Sequence, residues 1–321
     1  MKILIAGAGG FIGGHLTKKL SEEGHEVMAV DIKPTRQWHQ HTNKAHEVSR
    51  DLRSYNNWGY LLSDVDRVYN LACNMGGMGF IQNNHVECLE SVLIQTNLIR
   101  AISDMGEFGP KEVFYSSSAC AYPEDIQGAV DSVALKESDA FPASPQDGYG
   151  WEKLFSEIIT KYSIKDCGIS PRVFRFHNCY GPYGTWRGGR EKAPAALCRK
   201  VIEAKLSGKH EIEIWGDGEQ TRTFMYIDDC ITGIEKLWGS DYTDPLNLGS
   251  DEQVTINQLV DIAEELGDIK LKRNHDLTKP QGVRGRNSDN TLIKEVLDWA
   301  PSISLKDGME KTYKWIYDQM T

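Results

Sequence analysis

KILIAGAGGFIGG, Lys2 to Gly14, is the stretch whose reading decides the fold. Lys2 to Ala6 is a short apolar run, which predicts a buried parallel strand. Gly7, Gly10 and Gly13 follow at the spacing G-x-x-G-x-x-G. HLTKKLSEEG then predicts a helix closed by Gly24, and EVMAVD a second strand ending at Asp31. Glycines let a backbone approach a pyrophosphate, and a helix N-terminus offers it free N–H groups. A carboxylate at Asp31 accepts hydrogen bonds from an adenosine ribose and repels a 2'-phosphate, so NAD is favoured over NADP. Phe11 and Ile12, inside the turn, join Gly7, Gly10, Gly13 and Asp31 as candidate cofactor-binding residues. A glycine triplet alone also fits a tight turn in another α/β protein. Strand, glycines, helix, strand and acid in that order are what point to a dinucleotide.

Outward from this unit, RVYNLAC (67–73) and KEVFYSSS (111–118) predict further strands of the same sheet, with a helix from about Glu87 to Met105 between them. Alternation of strand and helix implies an α/β fold, a doubly wound parallel sheet of Rossmann type. Ligands of such sheets gather beyond the carboxyl ends of the strands. That rule places Ala72, Cys73, the loop Met75–Phe80 and Ser116–Cys120 near cofactor or substrate. The expected division is a nucleotide-binding domain over 1–181, to which 216–251 return, and a smaller discontinuous substrate lobe from 182–215 and 252–321. KEVLDWAP (294–301) predicts a helix stopped by Pro301, and KTYKWIYDQM a terminal amphipathic helix.

The 321 residues carry a net charge of −10, which disfavours a nucleic-acid or anionic-membrane partner. No apolar run approaches the roughly 20 residues that span a bilayer. The start, MKILIAGAGG, reads as strand and turn rather than a signal peptide. Seven cysteines without a CxxC pair suggest a reduced, cytoplasmic compartment, and no metal-ligand cluster is visible.

Tyr149 and Lys153 in QDGYGWEKLFSEIITKY are four apart and share a helix face. A nearby lysine cation lowers the pKa of a phenol, so Tyr149 can take the proton of a sugar hydroxyl as hydride leaves for a nicotinamide. Lys153 also suits the nicotinamide ribose, and Ser118 the same hydroxyl oxygen. YxxxK occurs often by chance; here it follows a nucleotide turn and a serine-rich strand end. GAGGFIGG, YSSSACAYPE, YGWEK and RFHNCYGP together resemble the extended short-chain dehydrogenase/reductases that modify nucleotide sugars, over nearly the whole chain.

Oxidising C4 of a hexose acidifies the protons on C3 and C5, and inverting those centres needs a base and an acid on opposite faces of the ring. Dehydratases of this superfamily have an acidic pair after the triad Ser or Thr. Here Ala119 and Cys120 stand there, leaving Cys120 as the candidate proton carrier against the alternative of an inert core cysteine. Lys192, among Arg187, Arg190 and Glu191, is the second candidate, because neighbouring cations lower a lysine pKa; a solvated charge run is the alternative. MGGMGFIQ, SSACAYPE, YGPYGTWRGGREKAPAA and GVRGRNSDN narrow the resemblance to the GDP-mannose 3,5-epimerase family. That resemblance implies tightly held NAD, GDP-mannose as substrate, GDP-L-galactose and GDP-L-gulose as products, and a homodimer. It implies Cys120 and Lys192 as the proton-transfer pair and Tyr149 and Lys153 as the redox pair. Gly148 departs from the pattern and is expected to loosen the helix start.

Arg222 and Arg284 are candidate diphosphate ligands, with Arg190 and Arg286 weaker ones. Met75, Gly76, Gly77, Asn178 and Lys192 complete the substrate-binding set. Trp215, its GDG turn and the other six cysteines read as structural, and His177, in a predicted strand, is left out. The rivals are a nucleotide-sugar 4,6-dehydratase, a C4 epimerase with no role for Cys120 and Lys192, and a non-enzymatic NAD-binding regulator.

Overall fold

Lys2–Ala6 (β1), Glu26–Asp31 (β2), Ala45–Ser49 (β3), Arg67–Asn70 (β4), Glu112–Ser118 (β5) and Ser170–Phe176 (β6) form, with Leu246–Leu248, a seven-stranded sheet. The computed structural model describes residues 1–321. The strand order is Leu246–Leu248, β6, β5, β4, β1, β2, β3, and every neighbouring pair is parallel. Ile3, Leu4 and Ile5 are all fully buried, as a parallel sheet covered on both faces requires. Each such side chain stabilises the fold by about 1.5–3 kcal/mol relative to exposure.

The order in which strands are added to the sheet reverses between β1 and β4, which is where a crevice forms at the carboxyl ends of such strands. The glycine turn fills its floor. Gly7 has φ +86°, and a Cβ there would lie 2.8 Å from the Ala72 nitrogen at the exit of β4. The helix Phe11–Glu22 starts at Gly10 with no side-chain cap and no acid in its first turn. Its first N–H groups therefore keep their capacity for an anion.

Two expected elements are shorter than the apolar pattern suggests. The strand expected over 67–73 ends at Asn70, whose Oδ1 accepts from Ala72 N at 3.2 Å and whose Nδ2 donates to Gln95. An Asx-type turn of this kind competes with the sheet ladder. The helix expected over 87–105 is two, His85–Leu89 and Val92–Met105. Between them Ser91 Oγ accepts from Asn74 N at 2.8 Å, anchoring the loop that leaves β4. β3 lies at the sheet edge, has no fully buried residue, and carries no apolar signal.

Beyond the sheet, Glu211–Trp215 pairs in parallel with Lys272–Asp276. Thr221–Thr223 pairs with Gln253–Thr255 and with Gly285–Arg286. Helices Ala193–Ser207, Ile256–Gly267 and Leu305–Met320 pack together, and Ile227–Trp238 returns to lie against Phe11–Glu22. One apolar core runs from Ile3 and Ile5 through Val201 and Leu259 to Ile316. No helix is long and apolar enough to cross a membrane.

Candidate active site

β5 delivers Ser118 to the crevice, and the helix Gly148–Cys167 delivers Tyr149 and Lys153 to it. The helix start is fixed by Asp147, whose Oδ1 accepts from Gly150 N at 2.9 Å. Gly148 therefore does not loosen it; its backbone lies against His85 O, where a Cβ would sit at 3.0 Å. Gly150 has no room for a side chain, because a Cβ would run into the Cys120 carbonyl oxygen. That close approach sets the helix down on the turn carrying Cys120.

Ser118, Tyr149 and Lys153 are all buried. The Ser118 hydroxyl accepts from Cys120 N at 3.2 Å and stands near enough to the Tyr149 phenol to oppose the rise of its pKa. The expected lowering of the Tyr149 phenol is not what the pocket gives. Burial holds its pKa well above the ordinary value, and the Cys73, Cys120 and Glu152 charges add to this against the Ser118 bond. Burial also opposes the Lys153 charge, but Cys73 and Glu152 outweigh it and keep that pKa raised. Cys73, read from the sequence as structural, faces both groups; burial pushes its own thiol up. The strand-end rule had pointed to its position.

Lys153 Nζ is buried with no hydrogen-bond partner, so its donors fit the hydroxyls of a ribose. Asp31 is buried at the end of β2 and accepts from Lys33 N at 2.9 Å, with its remaining acceptor capacity suited to a second ribose. With the glycine turn between them, these residues fit NAD.

The second wall comes from distant segments. Arg286 Nη1 donates to Cys120 Sγ at 3.1 Å, and its Nε donates to Gln127 Oε1 at 2.6 Å. Gln127 is held in turn by the carbonyls of Tyr122 and Pro123. Lys192 stands at the N-cap of Ala193–Ser207. Desolvation pulls its ammonium below the ordinary lysine range; Cys120 and Cys179 oppose this, and Arg286 adds to it. Arg222 is the register partner of Arg286 on the neighbouring strand. It donates to the carbonyls of Thr221, Gln281 and Val283, and burial beside Arg286 lowers its pKa. Neither arginine has a carboxylate partner.

Arg284, a candidate diphosphate ligand by sequence, pairs with a carboxylate. Both its Nη groups are taken by Asp217, at 2.8 and 2.9 Å, which leaves Arg286 as the arginine that reaches Cys120. Asn178 Nδ2 donates to Thr223 O at 3.1 Å, and the Asn178 backbone carbonyl accepts from Met225 N. Met75, Gly76 and Gly77 form the loop beneath Lys192. Gly77 N donates to Arg190 O at 3.0 Å, and Arg190 Nη1 donates to Asn74 Oδ1 at 2.6 Å and Met75 O at 3.2 Å. Arg190 also lies over the Phe80 ring at 3.7 Å, so it is a clamp between two loops. His177 is fully buried, bonded to Asn247 Oδ1 at 3.1 Å, and pulled by burial down to about 3. It is neutral and plays no acid–base part at ordinary pH. The sequence pattern missed Arg286 as a thiol partner and Gln127 altogether; nothing in spacing pairs positions 120, 127 and 286.

A parallel sheet with a nucleotide turn at its switch point, and a Ser–Tyr–Lys set beside it, define a nicotinamide-dependent enzyme of the short-chain dehydrogenase type. Residues 3–249 match the model of the NAD dependent epimerase/dehydratase family, and the chain belongs to that family. Over 325 aligned residues it is 49% identical to GDP-mannose 3,5-epimerase 1 of Oryza sativa subsp. indica, an alignment covering all of this chain and 82% of that protein. The solved structure of MoeE5 in complex with UDP-glucose and NAD superposes with a TM-score of 0.83 at 25% identity, each chain covered completely. A UDP-glucose 4-epimerase from Thermotoga maritima, 23% identical and likewise covered completely, has a TM-score of 0.88 and shares the fold.

Proposed function

We propose that this chain catalyses the NAD-dependent epimerisation of GDP-α-D-mannose at C3 and C5, yielding GDP-L-galactose, and GDP-L-gulose when C5 alone inverts. The carrying observation is the 49% identity to a GDP-mannose 3,5-epimerase over the full chain, joined to a site holding both a redox set and a thiol–lysine pair.

The bound cofactor supplies hydride acceptance from C4 and its later return. Tyr149 takes the C4 hydroxyl proton, with Ser118 on the same oxygen and Lys153 holding the ribose. With C4 a ketone, one of Cys120 and Lys192 removes the C5 or C3 proton and the other returns one to the opposite face. The Arg286 contact holds the Cys120 sulfur in place, and desolvation of Lys192 eases its proton exchange. Arg222 and Arg286, side by side without a carboxylate, suit the dianionic diphosphate. Met75, Gly76, Gly77 and Asn178 line the sugar side. The absence of an acidic pair after Ser118 disfavours the 4,6-dehydratase.

We divide the chain into a nucleotide-binding domain over 1–181 and 216–251 and a substrate lobe over 182–215 and 252–321. We place the protein in the cytoplasm as a homodimer. Leu89 at the end of His85–Leu89, Leu93 at the start of Val92–Met105, and Trp151, Phe155 and Tyr162 on the helix that packs against both are 41–64% exposed apolar side chains, which supports the dimer. Light scattering should give twice the chain mass, and Trp151→Glu with Phe155→Glu should give the monomer.

The deciding experiment is incubation with NAD and GDP-mannose in deuterated water, followed by proton NMR and mass spectrometry of the sugar. Deuterium at C5 and C3 with L-galactose and L-gulose configurations supports the assignment. Loss of water would move it to a dehydratase. Inversion at C4 without exchange would remove Cys120 and Lys192 from the chemistry.

A further inference from the structure

The helix of Tyr149 and Lys153 holds a second buried charge for which the reaction above has no use. Glu152 is 2% exposed and Lys153 is 1% exposed. Glu152 Oε2 lies 3.5 Å from Lys153 Nζ. Glu152 Oε1 accepts from Tyr115 OH and from Ser156 Oγ, both at 3.1 Å. Tyr115 comes from β5 and is itself buried, which holds its phenol well above the ordinary range and keeps it a donor. Neither Glu152 Oε2 nor Lys153 Nζ has a further hydrogen-bond partner within the protein.

A lysine buried this deeply tends to shed its proton, because an ammonium taken out of water loses several kcal/mol of hydration. Its task requires the charge: donation to the ribose and attraction of the phenolate both depend on it. The titratable groups facing it are Cys73 from the loop after β4, Tyr115 from β5, and Tyr149 and Glu152 from its own helix; Cys120 faces Tyr149 beyond. Burial pushes the pKa values of Cys73, Tyr115 and Tyr149 upward, and Cys73 and Glu152 are the two groups that favour the Lys153 charge. Glu152 is the one carboxylate in the group.

We propose that Glu152 is a positioning residue for hydride transfer, the counter-ion that keeps Lys153 charged and aimed, with Tyr115 and Ser156 orienting its carboxylate. This rests on reading Tyr149 and Lys153 as the redox pair. Adjacent helix residues do not face each other, so the contact exists because both side chains are long and Tyr115 pins one of them. The sign follows directly. Without the carboxylate the lysine pKa falls, and Lys153 becomes neutral at a lower pH than in the wild type.

The test is NAD affinity by calorimetry on protein stripped of cofactor, from about pH 6 to about pH 10, beside the pH profile of nicotinamide reduction with GDP-mannose. Wild-type affinity is expected to stay level across neutral pH. Glu152→Gln should bind NAD normally at the acid end and lose roughly tenfold at the alkaline end, the worth of one charged hydrogen bond. Its reduction profile should fall off at a lower pH, and Glu152→Asp should restore part of both. Tyr115→Phe, which keeps the carboxylate but frees it, should shift both in the same direction by less. If Glu152→Gln parallels the wild type at every pH and only its melting temperature changes, Glu152 is a structural tie and the proposal is overturned. Lys153→Met separates the two readings. Weakened NAD binding in Lys153→Met with an unaltered Glu152→Gln overturns only the role of Glu152, whereas unaltered binding in Lys153→Met overturns the redox pair as well.

Discussion

The two walls of the site are built in different ways. The redox wall consists of one strand end and one helix: Ser118 closes β5, and Tyr149 and Lys153 lie one turn apart on Gly148–Cys167. All three are buried and their relative placement is fixed by regular structure. The proton-transfer wall is assembled from a turn at Cys120, a helix cap at Lys192 and two short strands at Arg222 and Arg286. Its members meet through side-chain contacts such as Arg286–Cys120. In the proposed reaction the first wall oxidises the alcohol. The second then decides what happens to the ketone, so a change in it should redirect the chemistry without touching the cofactor.

That contrast breaks first at Tyr149 and Cys120. Tyr149→Phe should lower turnover by roughly 10²–10⁴-fold and suppress cofactor reduction and solvent exchange together. Cys120→Ala should lower deuterium incorporation at C5 and C3 by a similar factor while cofactor reduction on adding GDP-mannose persists, read by absorbance and NMR on the same sample. Equal loss of both signals in Cys120→Ala would merge the two walls. Next in size, Arg286→Met should slow exchange about 10–100-fold, as expected for a lost charged hydrogen bond to the Cys120 sulfur. Gly150→Ala tests where the walls touch. The added methyl meets the Cys120 carbonyl, so stability should fall by about 1–3 kcal/mol in chemical denaturation, with both activities impaired.

The smallest effect concerns His177, behind both walls. Its folded pKa, about 3, lies below the ordinary 6.5, so the unfolded chain takes up a proton first as pH falls. Its contribution to stability is complete above about pH 6.5 and declines on acidification towards 3, by about 1.4 kcal/mol per pH unit. His177→Gln should flatten that part of the acid dependence in urea titrations between pH about 7 and about 5, leaving activity at neutral pH in place.

The same contrast explains what the sequence made legible. The nucleotide turn, β5 and the Tyr149–Lys153 helix follow from local rules: apolar runs, glycine spacing and a four-residue period. Cys120 and Lys192 were singled out by local chemistry, a thiol two residues past Ser118 and a lysine among other cations, and only the resemblance paired them, since no periodicity links positions 120 and 192. Arg284 was preferred to Arg286 because sequence cannot see Asp217 waiting for one guanidinium and Cys120 for the other. The direction of the Tyr149 pKa was misjudged for the same reason. A lysine four residues away is visible in the chain, whereas complete burial beside Cys73 and Glu152 is not. Strand β4 was overextended because Leu71 to Cys73 are as apolar as the strand, and only the Asn70 side chain ends it.

The clamp made by Arg190 has a consequence for heredity. Asn74 and Arg190 are 116 positions apart, yet their side chains meet at 2.6 Å, and Gly77 N bonds the Arg190 carbonyl beside them. The loop that follows β4 and the loop that presents Lys192 therefore form a single epistatic block. A substitution at Asn74 is felt at Lys192 through Arg190, and its fitness depends on what stands at both ends of the clamp. Directed evolution towards other sugars should vary the two loops together, because a library confined to either one samples mostly mismatched seams.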